Sequence, residues 1–81
     1  MSVVYLQKVL RESDAEGEER MLLMVMADLA TETGSFWASE DLLAARTRMP
    51  VERVSIVRNR LIASGEIRPG PAKNIYEFAR L

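Results

Sequence analysis

Two side chains that do much of the enzymatic and metal chemistry at neutral pH are missing from this chain: its 81 residues include no cysteine and no histidine. Thiolate nucleophiles, disulfides and thiolate metal sites are thereby excluded. So are the commonest general base and the commonest metal ligand. Carboxylates, Ser, Lys and Tyr remain, and no convergent set of them is visible, so no catalytic residue, metal site or cofactor is expected. Met21, Met24 and Met26 have no softer ligand nearby and read as core filler. The acidic stretch from Glu12 to Glu19 reads as a solvated turn and the start of a helix, where carboxylates complement the positive end of the helix dipole.

The remaining chemistry is electrostatic, and it is unevenly distributed. Residues 1–45 hold three basic side chains against nine carboxylates, whereas residues 46–81 hold eight against three. The net charge of −1 conceals this division. An asymmetry of this kind is what a one-sided footprint for a polyanion leaves in a sequence.

These charges need a scaffold, and its elements can be read from spacing. With 48% hydrophobic and 28% charged residues the composition is that of an ordinary globular domain, and the length suits one domain over 1–81. Val3, Leu6 and Leu10 predict a short helix over Val3–Arg11. Leu22, Val25, Met26 and Leu29 predict a central helix over Met21–Ala30, apolar nearly all round and ended by Gly34. Ser35–Ala38 reads as a short extended piece. Ser39, followed by Glu40 and Asp41, is a good N-cap for a helix running to about Arg48. Pro50 interrupts. The next helix, Val51–Ser64, places Val54, Val57 and Leu61 inward and stops near Gly65. Glu66–Arg68 and Asn74–Phe78 then read as two strands around Pro69-Gly70-Pro71-Ala72-Lys73.

Two short helices separated by about three residues, the second followed by a β-hairpin, predict a mainly α winged helix-turn-helix. Such a helix fits the major groove of B-DNA, about 12 Å wide, while flanking arginines and a basic hairpin tip reach phosphates. The expected contacts with double-stranded DNA are Arg53, Ser55, Ile56, Asn59 and Arg60 on the helix, Arg48 in the turn, and Arg68 and Lys73 on the wing. Arg46 sits at the end of the preceding helix, and Arg58 lays its stem along the core edge.

Tyr5 through Ser13, Arg20 through Asp28, Trp37-Ala38-Ser39 with Leu42, Leu43, Ala45 and Arg46, Val54 through Ile67, and Asn74-Ile75-Tyr76 occur in a characteristic order. In that order the chain resembles a family of small winged helix-turn-helix domains from actinobacteria, their plasmids and their phages. That family is related to the N-terminal domains of phage and plasmid replication-initiation proteins. The resemblance covers nearly the whole chain. It implies a non-enzymatic DNA-binding protein, acting as a small transcriptional regulator or a replication accessory factor. Pro50-Val51-Glu52 stands where the family usually has Ser followed by basic residues. Ile56 and Arg58 also depart from its pattern.

These departures keep a second expectation open, a protein-recognition module using Val51, Glu52 and Ile56 or the acidic half against a host or phage protein. The first helix offers more apolar surface than a small packing helix obviously needs: some of it is expected to cover the central helix, and the alternative is a homodimer through it, doubling the contacts of one small module. No small-molecule substrate is expected. The longest apolar run, Met21–Ala27, is too short to span a bilayer, and the N-terminus lacks the order of a secretory signal. A cytoplasmic location, on the nucleoid or in a host cytoplasm, is expected.

Overall fold

A computed structural model describes residues 3–80; Met1, Ser2 and Leu81 fall outside that range. Within it the order is α1 (Val3–Glu12), α2 (Gly17–Leu29), β1 (Ser35–Trp37), α3 (Glu40–Thr47), α4 (Val51–Ala63), β2 (Ile67–Pro69) and β3 (Ile75–Phe78). The result is a compact, mainly helical unit with one small antiparallel sheet.

α2 is the hub. Its Leu22, Leu23, Met26 and Ala27 are buried, and α1, α3, α4 and β1 all pack against it. It begins at Gly17, ahead of the apolar run, because Glu18 and Glu19 in its first turn complement the helix dipole. α1 contributes one buried residue, Val9, with Tyr5 and Leu6 half-buried. Val3, Val4 and Leu10 stay 55–59% exposed. Arg20 ties the two helices together by donating from Nη2 to the Leu10 carbonyl at 2.9 Å.

α3 starts as its sequence predicts. The Ser39 hydroxyl accepts from the Leu42 amide at 3.1 Å, capping the first turn. It ends where Thr47, buried, donates to the Leu43 carbonyl at 2.7 Å and accepts from the Met49 amide at 3.3 Å. Arg48 then turns the chain in the left-handed region, at φ 60°, and Pro50 leads into α4. α4 ends at Ala63, and Gly65, two residues on, reverses the backbone at φ +83° with no Cβ to strain it.

The sheet differs from a simple hairpin. β3 pairs with β2 on one side and with β1 on the other, giving the order β1-β3-β2. Nothing local announces the β1–β3 ladder, since Phe36 faces Tyr76 across forty residues of chain. Burial alternates along β3: Tyr76 and Phe78 point to the core, where both lie against Phe36. The Tyr5 ring stacks on Phe78 at 5.0 Å, which docks α1 onto the sheet. Gly34, at φ +88°, lets that ring approach; a Cβ there would lie 2.5 Å from the Tyr5 hydroxyl. The other face of the sheet carries Ser35, Trp37, Ile75, Glu77 and Arg68, which alternate with the core residues.

β2 covers Ile67–Pro69, one residue later than the sequence predicts. Glu66 is displaced from the strand because its side chain is buried (3% exposed) and its Oε1 accepts from the Ser13 hydroxyl at 3.2 Å. Pro69 ends the strand at a sheet edge, where its missing N–H costs nothing. Among the described residues no helix is long and apolar enough to cross a membrane.

Candidate functional site

α4 is held from below and exposed above. Val54, Val57 and Leu61 are essentially inaccessible, and α2 and α3 both pack on this helix. The opposite ridge, at spacings of four, three and four residues, is Glu52, Ile56, Asn59 and Ala63, all exposed. Ile56 is 45% exposed, a large apolar side chain on a surface-facing helix. Ser55 lies half-buried beside this ridge. The amino end of α4 has no side-chain cap, because Pro50 occupies that position.

Beside α4 runs a groove of about 540 Å³. One wall is α4, through Arg58, Asn59 and Ile62; the other is the β2–β3 hairpin, through Pro69, Lys73 and Asn74; the start of α3 closes one end. The hairpin loop is braced by a Gly70 amide to Ile75 carbonyl bond of 2.6 Å and an Ile75 amide to Ala72 carbonyl bond of 3.2 Å. With Asn74 at φ 65°, this loop holds Lys73 out on an exposed, fixed turn.

The arginines divide into paired and free. Arg53, expected at the DNA-facing surface, is turned to α2. Its Nε donates to both Glu18 carboxylate oxygens at 2.9 and 3.0 Å, and its Nη2 donates to Oε1 at 2.6 Å. These bonds hold the Glu18 carboxyl below the usual glutamate range and raise the Arg53 guanidinium, with the neighbouring positive charge of Arg60 acting on Glu18 in the same direction. Arg58 reaches the α3 start and donates to Glu40 at 2.7 Å. Its side chain is only 15% exposed, so the stem is packed as well as the charge paired. From there it also donates to the Ser55 hydroxyl at 3.4 Å, orienting a residue of the candidate surface. Arg68 is held on the sheet by Glu77 at 2.9 Å, and Arg46 lies 3.7 Å from Asp28.

Four of the five ion pairs among the described residues therefore join the acidic first half to the basic second half: Asp14–Arg80, Glu18–Arg53, Asp28–Arg46 and Glu40–Arg58. Much of the charge asymmetry along the chain is thus paired within the fold. Arg48, Arg60 and Lys73 are the exposed cations around α4 whose side chains have no ion pair or hydrogen bond among the described residues.

Of the residues singled out from sequence, the fold brings Ser55, Ile56, Asn59 and Arg60 together on α4, with Lys73 across the groove from Asn59 and Arg48 in the turn before the helix. Arg53 and Arg68 are engaged elsewhere. The sequence reading missed Arg58 as an organiser and Asn74 as a groove residue. It also missed Trp37, 54% exposed and paired in register with the groove residue Ile75. An aromatic two residues before an N-cap serine was the available signal. Among the described residues no cluster of His, Cys, Asp or Glu is arranged to hold a metal ion.

The chain matches no family model, no curated protein and no solved structure.

Proposed function

We propose that this chain is a winged helix-turn-helix module that binds double-stranded DNA without catalysing a reaction on it. In this reading α3 and α4 are the helix-turn-helix, α4 enters the major groove, and the β2–β3 hairpin is the wing. The observation that carries the reading is the pairing of an exposed α4 ridge with a braced, lysine-tipped hairpin across one groove. Three exposed cations with no ion pair or hydrogen bond among the described residues lie around them, the arrangement by which such modules reach bases and phosphates together. Ser55 and Asn59 then face base edges, Ile56 meets a thymine methyl, and Arg48, Arg60 and Lys73 meet phosphates. A role as a small regulator or replication accessory in the cytoplasm follows from this reading, as does a dimer through α1. Val3, Val4 and Leu10 of α1 are the exposed apolar residues that support the dimer.

The test is fluorescence anisotropy of a labelled random-sequence duplex at about 50 and 200 mM salt. Dissociation constants of about 10⁻⁴ to 10⁻⁶ M that weaken steeply with salt are expected. Replacing Arg48, Arg60 and Lys73 by Ala together should abolish the salt dependence. Absence of binding at the lower salt sinks the reading.

A second reading, protein recognition through the same surface, is supported by Glu52 on the ridge and by Val51 and Ile56, 38% and 45% exposed. A carboxylate there repels phosphate but suits a basic protein patch. A partner that co-purifies in fixed ratio and is lost on Ile56→Asp, with no duplex bound, would favour it.

A further inference from the structure

The DNA-binding reading leaves the chain's single tryptophan unexplained. Trp37 closes β1, and its indole lies on the solvent face of the sheet with 54% of its surface exposed. Burying such a ring gains far more than leaving it wet, yet the described residues leave more than half of it uncovered. Phe36 beside it is 3% exposed, so this strand has an inner aromatic for the core and an outer one for something else.

The surroundings favour one kind of occupant. Trp37 is opposite Ile75 in the β1–β3 ladder, and the next amide, Ala38, donates to the Asn74 carbonyl at 2.8 Å. The ring's own backbone is thus fixed to the base of the hairpin that carries Asn74 and the free cation Lys73. Ser39, two residues on, lines the groove beneath them. An apolar ring on the outer face of the sheet, beside a hairpin that carries an amide and an ammonium with no ion pair among the described residues, matches a sugar-phosphate strand, whose deoxyribose faces are apolar and whose phosphates are anionic.

We propose that Trp37 is a nucleic-acid contact, packing on the deoxyribose of the duplex strand whose phosphates meet Lys73 and the wing. This rests on the DNA-binding reading and extends its surface from α4 and the hairpin to the outer face of the sheet. Because the contact is apolar, it adds affinity without adding to counterion release.

The single tryptophan supplies the assay. Its intrinsic emission is followed while unlabelled duplex is added at about 50 mM salt, in parallel with anisotropy of a labelled duplex. The wild type should show emission that changes and saturates with the anisotropy curve. Trp37→Ala should weaken duplex binding about fivefold or more with an unchanged salt slope, Trp37→Phe should recover part of the loss, and Lys73→Ala should lower the slope by about one. The ring is exposed, so the variants should keep the wild-type melting curve; the emission titration needs no variant at all. Duplex binding with unchanged emission and an unaffected Trp37→Ala overturns this inference and leaves the DNA reading standing. A tighter, more strongly quenching complex with single strands overturns it in favour of base stacking. No binding by either probe removes the DNA reading itself.

Discussion

The Glu18–Arg53 pair gives the DNA reading a quantitative consequence. Three cations around α4 have no ion pair or hydrogen bond among the described residues, whereas Arg53 is held by three hydrogen bonds to one carboxylate. A pre-neutralised guanidinium releases no counterion on meeting phosphate. With three effective contacts the slope of log K against log salt is about −2.7, so affinity falls about fortyfold between 50 and 200 mM. Glu18→Gln frees the fourth cation. The slope steepens to about −3.6, and the same change in salt costs about 150-fold. Binding at the lower salt should also tighten. The pair is accessible to water, with side chains 39% and 44% exposed, so losing it should leave the fold intact. Anisotropy titrations at four or five salt concentrations measure both slopes. The reasoning fails if Glu18→Gln binds duplex with the wild-type slope. It fails equally if Arg53→Ala alone flattens the slope by a full contact, since Arg53 would then abandon Glu18 for phosphate in the complex.

The remaining expectations concern the fold and its self-association. The Arg53 hydrogen bonds depress the Glu18 carboxyl, so the pair's contribution to stability is present above the ordinary glutamate value and lost as pH falls through the depressed one. Any difference in melting temperature between wild type and Glu18→Gln at pH 7 should therefore vanish in strong acid, and a difference that persists there would contradict the assignment. Ser39→Ala removes the α3 cap and should cost about 1 kcal/mol, a fall of about 4–8 °C for a domain of this size, read by thermal circular dichroism. A melting temperature unchanged by that substitution would mean the 3.1 Å bond contributes nothing. Leu10→Lys should convert a dimer to a monomer in sedimentation without lowering the melting temperature, because Leu10 is 55% exposed. A wild type that sediments as a monomer at high concentration would remove the α1 dimer.

Secondary structure was largely legible because it is written locally. The inward faces of α2 and α4, the Ser39 cap and the Gly65 stop all follow from spacing and single-residue conformational preference. The strand at Ser35–Trp37 was legible as a short extended piece, but its pairing with β3 was not, since that ladder is long-range. Nor was the one-residue shift of β2, because the Ser13–Glu66 bond that buries Glu66 joins residues 53 apart.

The candidate surface shows the same division more sharply. Helical spacing was enough to place Ile56 and Asn59 on an exposed ridge with Ser55 beside it, but it could not assign the arginines, because a charge is defined by its partners. Arg53 and Arg60 are both basic residues on one helix, seven apart, yet one is held by a carboxylate of α2 and the other has no ion pair or hydrogen bond among the described residues. Counting charges along the chain treated the acidic half as a separate surface. Folding sets it against the basic half, with Glu18 and Glu40 taking the arginines on either side of the α4 ridge. If α4 reads DNA, these carboxylates set how much of its charge the duplex meets. The affinity of this module is then governed by residues on α2 and α3 that touch no nucleic acid, and a free basic patch would bind any polyanion more tightly while discriminating less.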